Sequence, residues 1–442
     1  MTGALPTIAV LGASGLIGEA VASRLRRDGF PIVPVARRFT ATQKARFGEA
    51  AVECPIVGFE TGALAQLLSE QRAEIVVNCI GVLQDGGRGG TDEVHRGFVA
   101  RLVEALDRQG RAALLLHVSI PGREDADRTS FSRTKRDAER LIAAGPVPFV
   151  ILRPGFVLAP AAYGGGALIR AMAALPIELP ARDTGAPFAV TDVADIARTI
   201  AVVANRWRDG ERDWNTVWDV MDRRPSTVGD VLDAFRQCLG GPGKRLPLPA
   251  WLMGAGAKAG DLAARLGWAP PIRSTALREM RRGVEGDPEP WIAATGIEPI
   301  GLDSALDRLP ATVQEKWFAR LYLHKPLVVG VLVAFWSLSG LIVLAAAFDV
   351  ATAILTTHGF PLRLAQAVTI VSSLTDIGVG LAIAFRRTCR AGLLAGIAVS
   401  LFYMAGAALI APDLWIEPLG ALVKTGPAIV LMLVALAILE DR

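Results

Sequence analysis

The sequence predicts a doubly wound α/β domain with a parallel sheet, a smaller helical lobe and a C-terminal four-helix transmembrane bundle. Two observations favour this fold class. Short apolar strands alternate with helices over residues 7–153, which is typical of a parallel sheet covered on both faces. Charged residues make up 77 of the first 320 residues but only 13 of the last 122, so the C-terminal part has the composition of a membrane domain.

The composition excludes several classes of protein. A net charge of +4 over 442 residues shows no dominant basic surface, so nucleic-acid binding is not expected. The four cysteines are far apart in the chain, and neither a disulfide framework nor a metal site is expected from their spacing. His95 and His117 also lack the spacing of metal ligands, and we expect them in core or surface positions.

A glycine-rich turn follows the first apolar strand, residues 7–11, and precedes a helix predicted over residues 19–27. The spacing is G-x-x-G-x-x-G. Glycines allow a tight turn and close backbone approach to a pyrophosphate, and the helix N-terminus offers N–H groups and a positive dipole end. The predicted dinucleotide-binding residues are Gly12, Ser14, Gly15, Leu16, Ile17 and Gly18.

The end of the second strand, residues 31–36, indicates which dinucleotide binds. An acidic side chain there would bind the ribose 2′-hydroxyl of NAD, whereas arginine accommodates a 2′-phosphate. The sequence has Arg37 and Arg38 and no acid at this point. NADP(H) is therefore favoured over NAD(H), with two solvated surface arginines as the alternative interpretation.

The α/β alternation continues to residue 153. Strands are predicted over 74–78, 113–119 and 149–153, and helices over 91–109 and 133–144. A glycine-rich segment, residues 81–90, is predicted to be a flexible loop over the cofactor, or else a solvated turn.

In these motifs the chain resembles the short-chain dehydrogenase/reductase superfamily, in its extended or atypical branch. Within it the chain is most similar to the group around the nucleotide-binding accessory subunit of respiratory complex I. The likeness implies a Rossmann domain over residues 1–200 and a small, mostly helical substrate lobe over 201–310. Matching motifs are the glycine turn, Asn78-Cys79-Ile80-Gly81, His117-Val118-Ser119, Lys135, Arg153-Pro154-Gly155 and residues 190–196. The resemblance adds Asn78, Gly81, Lys135, Pro154 and Gly155 to the expected cofactor contacts.

The catalytic set of that superfamily is incomplete in this sequence. The resemblance implies a Ser, a Tyr and a Lys four residues after the Tyr, with the Tyr supplying a proton to the substrate oxygen. Ser119 and Lys135 match, but Phe131 stands at the tyrosine position. Tyr163 is the one tyrosine of the nucleotide-binding part, and it is a candidate substitute acid, with an aromatic at a loop edge as the alternative.

Four segments near the C-terminus have the length of membrane spans: residues 326–348, 364–385, 391–412 and 418–439. About 20 apolar residues suffice to cross a bilayer. Residues 326–442 resemble a DoxX-type membrane domain, and 311–325, which mix aromatic and basic side chains, are predicted to form an interfacial linker helix.

Charges near these segments predict orientation and a candidate polar site. Arg386, Arg387 and Arg390 lie between the second and third segments, so the N-terminal part and the C-terminus are expected on the cytoplasmic side of the inner membrane. Asp376 falls inside the second segment. It is either a functional group or a structural one, paired for example with Lys424.

Three functions stay open at this point. The first is an oxidoreductase whose lipophilic acceptor, such as a quinone, takes hydride without the tyrosine. The second is a non-catalytic NADPH-binding module, structural or redox-sensing, in a membrane complex or a homo-oligomer. The third is an isomerase or sugar-modifying enzyme, which Phe131 disfavours.

Overall fold

The computed structural model describes residues 4–85, 90–109, 112–416 and 420–439. The chain divides into two compact units. The first runs to Asp261 and resumes over Pro270–Ala319, and the second comprises Leu262–Ala269 and the chain from Arg320 onward.

A seven-stranded parallel sheet forms the centre of the first unit. Its strands are β1 (Ile8–Leu11), β2 (Ile32–Ala36), β3 (Val52–Glu53), β4 (Ile75–Asn78), β5 (Leu114–Val118), β6 (Phe149–Pro154) and β10 (Asn215–Val220). They are ordered β10-β6-β5-β4-β1-β2-β3, and every pairing is parallel. Because consecutive strands run in the same direction, their carboxyl ends meet at one edge, which positions the candidate site.

Four shorter strands form two small parallel sheets. β7 (Phe156–Leu158) pairs with β9 (Val190–Asp192), and β8 (Ile177–Glu178) pairs with β11 (Leu246–Pro247).

Helices cover the central sheet and build the remainder of the first unit. The first eight are α1 (Leu16–Arg27), α2 (Ala41–Phe47), α3 (Thr61–Glu70), α4 (Phe98–Asp107), α5 (Ser130–Ala144), α6 (Gly164–Ala174), α7 (Ala181–Thr184) and α8 (Val193–Arg208). The next six are α9 (Val228–Leu239), α10 (Ala250–Arg265), α11 (Ser274–Arg282), α12 (Glu289–Thr295), α13 (Leu302–Asp307) and α14 (Val313–Tyr322). Residues Glu93–Gly97 form a π-helical turn immediately before α4.

The two faces of the sheet bury separate apolar cores. On one face, residues of α1 and α8 pack with strand side chains such as Val10 and Leu116. On the other, residues of α3, α4 and α5 pack with side chains such as Leu11 and Leu115. The alternation along each strand explains this division, and it confirms the predicted doubly wound fold. Helix α8 continues past residue 200, and β10, which lies beyond it, joins the central sheet. The division into a Rossmann domain over 1–200 and a substrate lobe over 201–310 stays a prediction.

The second unit is helical, with α15 (His324–Ala346), α16 (Phe348–Thr357), α17 (Leu362–Ala384), α18 (Cys389–Ile410) and α19 (Ala421–Ala437). Within the described part of the chain, α15, α17 and α18 are long and apolar enough to cross a membrane. The fourth predicted span differs: α19 has 17 residues, or about 25 Å of helix at 1.5 Å per residue, against about 30 Å of hydrocarbon. Residues 418–419 of that segment lie outside the described residues.

Small residues allow the long helices of the second unit to pack closely. A Cβ at Gly340 of α15 would lie 2.3 Å from the carbonyl oxygen of Ser373 in α17, and one at Gly380 would lie 2.3 Å from Ser337 Oγ. Glycine at such contacts lets helix backbones approach, which is a common means of helix association in membranes.

Candidate functional site

The glycine turn after β1 has the shape that a dinucleotide requires. Gly12 has φ +82°, a left-handed conformation that side chains disfavour. A Cβ at Gly18 would lie 2.3 Å from Gly12 O, so only glycine lets α1 begin against the turn. Gly15 is the N-cap of α1 and contributes no side-chain cap. The first N–H groups of α1 follow Gly15, and these are the donors that bind a pyrophosphate in such turns.

Arg37 and Arg38 follow β2 and are both exposed. An acid does lie nearby, on the adjacent strand β3: Glu53 accepts a hydrogen bond from Phe39 N–H at 2.6 Å and pairs with Lys44 Nζ at 2.7 Å. The hydrogen bond from Lys44, then that from Phe39, holds the pKa of Glu53 below its usual range. The Glu53 carboxylate is therefore engaged by protein groups, while the two arginine side chains extend into solvent.

The ends of β4 and β5 carry a pair of buried polar residues. Asn78 and His117 are register partners in the sheet, and Asn78 Nδ2 lies 3.1 Å from His117 Nδ1. Asn78 Oδ1 accepts from Ile80 N–H at 3.1 Å, so the amide nitrogen is the donor to His117 Nδ1. The proton of neutral His117 is therefore on Nε2, which is buried and has no hydrogen-bond partner among the described residues.

Lys135 of α5 lies beneath these strand ends and is only 5% exposed. Its Nζ donates to the Val118 carbonyl oxygen at 2.8 Å, and a Cβ at Gly81 would lie 3.4 Å from Nζ. Burial lowers the pKa of Lys135 to about 8, although the nearby Cys79 and Glu139 act in the opposite direction. A lysine in this state can give up or take back a proton near neutral pH.

Two neutral histidines flank Lys135. Burial, followed by the charge of Lys135, lowers the pKa of His95 to about 3 and moves that of His117 well below its usual value. His95 Nε2 accepts from Val82 N–H at 3.1 Å, and its Nδ1 lies 2.9 Å from Thr134 Oγ1. His95 thereby fastens the chain after β4 to helix α5, next to Lys135.

Phe131 lies one helical turn before Lys135, and its ring packs edge-on against His95 with centroids 5.6 Å apart. It has no hydroxyl to donate, so the position implied by the resemblance carries no proton here. Tyr163 is the residue before α6, where it is partly buried. Its assignment as substitute acid stays a prediction.

Ser119 directly follows β5 and is buried. Its N–H donates to Leu152 O at 2.7 Å. Burial would raise the pKa of the Glu139 carboxyl on α5, but the hydrogen bonds and charge of Arg153 and the charge of Arg136 lower it overall. Ser119 Oγ is buried and has no hydrogen-bond partner among the described residues. Ser119 directly follows Val118, whose carbonyl oxygen accepts from Lys135.

Pro154 ends β6 at the same sheet edge, and Gly155 follows it. A Cβ at Gly155 would lie 2.4 Å from Ala189 O, and Gly155 N–H donates to Thr191 Oγ1 at 2.8 Å. Gly155 is in the first motif, 153–155, and Thr191 is in the second, 190–196. Their contact holds β7 against β9, so the two motifs form one structural unit. Residues 86–89 of the loop predicted over the cofactor lie outside the described residues.

The structure therefore brings together Gly12, Asn78, Gly81, Ser119 and Lys135 around the carboxyl edge of the sheet. Sequence reasoning placed His95 and His117 in the core or at the surface, and it missed their position beside Lys135. One signal was available: His117 is two residues before Ser119, on the same face of a strand. Among the described residues, no cluster of three or more potential ligands could hold a metal ion.

The fold and the site define a dinucleotide-binding Rossmann domain joined to helices that are long and apolar enough to cross a membrane. Comparison with known families agrees. Residues 8–215 match the NAD dependent epimerase/dehydratase family, and residues 333–433 match the DoxX-like family. The chain thus joins an NAD-binding domain of the epimerase/dehydratase type to a C-terminal DoxX-like domain, and its apolar helices indicate a membrane protein.

Solved structures share the fold at low sequence identity. UDP-glucose 4-epimerase from Thermotoga maritima is 15% identical with a TM-score of 0.51, covering 70% of this chain and 98% of its own. UDP-glucuronic acid 4-epimerase from Bacillus cereus, solved with UDP-glucuronic acid and NAD, is 14% identical with a TM-score of 0.51, covering 72% and 99%. The enzyme WbmG of Bordetella bronchiseptica, solved with NAD, is 14% identical with a TM-score of 0.52, covering 72% and 96%. No curated protein matches the chain.

Proposed function

We propose that the protein is a membrane-bound oxidoreductase that uses a nicotinamide dinucleotide to reduce a lipophilic acceptor, such as a quinone, without a tyrosine acid. The observation that carries this proposal is the pair Phe131 and Lys135. The lysine is retained, buried and adjusted to a pKa of about 8, while the residue one turn earlier has no proton to give. A site built for carbonyl reduction would lack its donor, whereas a quinone needs no tyrosine at that position.

The chain's own residues divide the work as follows. The turn at Gly12 and the N-terminus of α1 bind the pyrophosphate, and Lys135 holds the nicotinamide ribose and moves a proton at Nζ. When bound, the reduced dinucleotide supplies hydride, so a quinone gains two electrons and one proton from it and a second proton from Lys135 or water, giving a quinol. Ser119 and His117 Nε2 line the same edge as hydrogen-bond donors.

Two other activities compete with this one. A non-catalytic NADPH-binding module in a membrane complex is supported by the same absence of a tyrosine hydroxyl at Phe131. A sugar-nucleotide enzyme is supported by the similar solved structures, which are epimerases in complex with UDP-glucose or UDP-glucuronic acid. The three activities predict different responses to the same ligands.

The test uses the full chain in lipid nanodiscs, with NADPH oxidation followed on addition of a short-chain benzoquinone. We expect turnover that Lys135→Met lowers at least tenfold, since a positioned proton donor contributes about 10²–10⁴ in rate. The matched control is Arg133→Met, which removes an exposed basic side chain from the same helix. Tight NADPH binding with no oxidation by any quinone would establish the non-catalytic module, and conversion of a UDP-sugar would establish the third activity.

The preference for NADP(H) is a separate proposal supported by Arg37 and Arg38. We expect the double substitution Arg37→Ala and Arg38→Ala to weaken NADPH binding at least tenfold, about 1.4 kcal/mol, and to leave NADH binding unchanged. Arg27→Ala, an exposed arginine at the end of α1, is the control. Tighter binding of NADH than of NADPH to the wild type would instead assign NAD, the cofactor bound in two of the similar solved structures.

We propose further that the first unit and the C-terminus face the cytoplasm, as the arginines at 386, 387 and 390 favour.

The exposed apolar side chains of helix α14 support its role as an interfacial linker helix: Val313 and Trp317, one turn apart, are 60% and 64% exposed. Protein partners and self-association have no specific support in the described contacts.

A further inference from the structure

Helix α10 presents an unusual surface to its surroundings. Trp251 is 71% exposed, Leu262 is 59% exposed and Leu252 is 41% exposed. Trp251, Ala255, Lys258, Leu262 and Arg265 are spaced at helical intervals of three and four residues, and all are exposed. They therefore form one stripe along the helix. Exposed aromatic and aliphatic side chains in a continuous stripe mark a surface that is covered by something.

The C-terminal end of α10, from Leu262, belongs to the second unit. The residues that follow it contact the end of α17. Trp268 Nε1–H donates to Ala384 O, the last residue of α17, at 2.7 Å, and Arg386 N–H donates to Leu266 O at 3.0 Å. The Arg386 guanidinium also lies over the Trp268 ring, 5.4 Å from its centroid. Because α17 ends there and arginines follow, this contact is at the boundary between hydrocarbon and water.

The charges on α10 are those of a helix at an anionic surface. Lys258 and Arg265 belong to the exposed stripe. The one acid of the helix, Asp261, is engaged by protein groups: Arg273 Nε at 3.2 Å and Ser274 Oγ at 2.5 Å. An exposed face with Trp and Leu, two basic residues and no acid is the pattern of helices that lie in the interface plane of a bilayer.

We propose that α10 lies on the bilayer as an interfacial helix, with Trp251, Leu252 and Leu262 among the lipid headgroups and Lys258 and Arg265 on anionic phosphates. This surface is additional to the membrane spans and to α14. The proposal rests on the exposed face of α10 and on the Trp268 contact that follows it in the chain. It is independent of the proposed redox activity.

The experiment places a fluorescent label at Ala255→Cys in the full chain, reconstituted in vesicles of phosphatidylglycerol and brominated phosphatidylcholine. The matched control label is Ala144→Cys, an exposed alanine of α5. The wild-type chain, labelled in parallel, gives the background from its own cysteines. We expect the bromolipid to quench the label at 255 several-fold more than the label at 144, and aqueous iodide to quench it several-fold less.

A second variant tests the charges. Lys258→Glu combined with Arg265→Glu is expected to lower the bromolipid quenching of the label at 255 in phosphatidylglycerol vesicles and to leave NADPH binding unchanged. Iodide quenching at 255 equal to that at 144 would overturn the proposal. Protection from both quenchers would also overturn it, because the stripe would then be covered by protein, for example by a second copy of the chain.

Discussion

Lys135 is the residue whose environment most constrains the chemistry of the site. A buried ammonium is costly, and here one carbonyl oxygen, Val118 O, is its hydrogen-bond acceptor. The neighbouring histidines are neutral, so they do not repel it. The lysine is therefore charged at neutral pH but close to losing its proton, which is the state required of a group that both holds a ribose and relays a proton.

This environment predicts how stability depends on pH. Burial lowers the pKa of Lys135 from 10.5 to about 8 in the folded chain. Between these pH values the unfolded chain holds one more proton than the folded chain, so the free energy of unfolding rises with pH, by about 1 kcal/mol per unit. Below pH 8 both states are protonated and the rise is absent. Thermal unfolding of wild type and Lys135→Met from pH 7 to 10 measures the difference.

The control for this comparison is Arg133→Met, which removes a solvated charge from α5 and is expected to track the wild type at every pH. A wild-type curve parallel to that of Lys135→Met over the whole range would show that Lys135 titrates at its ordinary pKa.

The contacts of the site show which residue pairs can be predicted from the sequence to lie close together. Phe131 and Lys135 are four positions apart on one helix, so their relation is visible in the chain itself. His117 and Asn78 are 39 positions apart, and they meet because β4 and β5 pair with those two residues in register. Strand order and register are set by the packing of the whole sheet, so the sequence alone did not place His117 beside Lys135.

At the scale of elements, helix α11 is fixed to the loop before α5 by buried charges. Asp127 pairs with Arg136 at 2.9 Å and with Arg282 at 2.6 Å, and all three side chains are at most 6% exposed. Thr129, the N-cap of α5, also hydrogen-bonds Glu279 of α11. The two arginines share the Asp127 carboxylate, and Arg281 of α11 pairs separately with the buried Asp183 at 2.6 Å, so two buried acids hold α11 in place.

Asp127→Asn should therefore be strongly destabilising. It removes the carboxylate nearest to the buried Arg282 and leaves Arg136 with Glu139 as its acidic partner, and breaking one partner of a buried ion pair costs about 3–5 kcal/mol. Asp125→Asn is the matched control, two residues earlier in the same loop, where the pair with Arg123 is largely exposed and little change is expected. Chemical unfolding of the full chain with both variants measures the difference, and equal midpoints would contradict it.

Element lengths in the membrane part were predicted less well than element types. The apolar run over 418–439 predicted a spanning helix, but α19 begins only after Gly420, which has φ +57°, and it contains Pro427. The length of an apolar run in the sequence predicts that a segment can lie in a membrane. The length of the helix within that segment depends also on the backbone conformation at its ends. The short helix α16 was not predicted, because 10 residues leave little periodic pattern.

At the scale of the whole molecule, the chain combines a dinucleotide-binding domain with apolar helices of membrane-spanning length. The second unit contains a polar pair between two of its long helices. Tyr403 OH of α18 donates to Asp376 Oδ1 of α17 at 3.0 Å and lies 3.3 Å from Ser372 O. Tyr403 is thus the described partner of Asp376, in place of the Lys424 that the sequence left open.

An ionisable side chain inside a span is costly to insert and is retained chiefly where it acts. We therefore expect Asp376→Asn and Tyr403→Phe each to lower NADPH-dependent quinone reduction at least tenfold and to leave NADPH affinity unchanged, because the dinucleotide site is in the other unit. Ser339→Ala is the control, since that hydroxyl donates to Phe335 O of its own helix. The measurement is a quinone-reductase rate in nanodiscs beside an NADPH binding titration. Full activity in both variants would show that the polar pair has no part in the reaction, whereas a loss confined to the rate would show that it contributes to use of the acceptor.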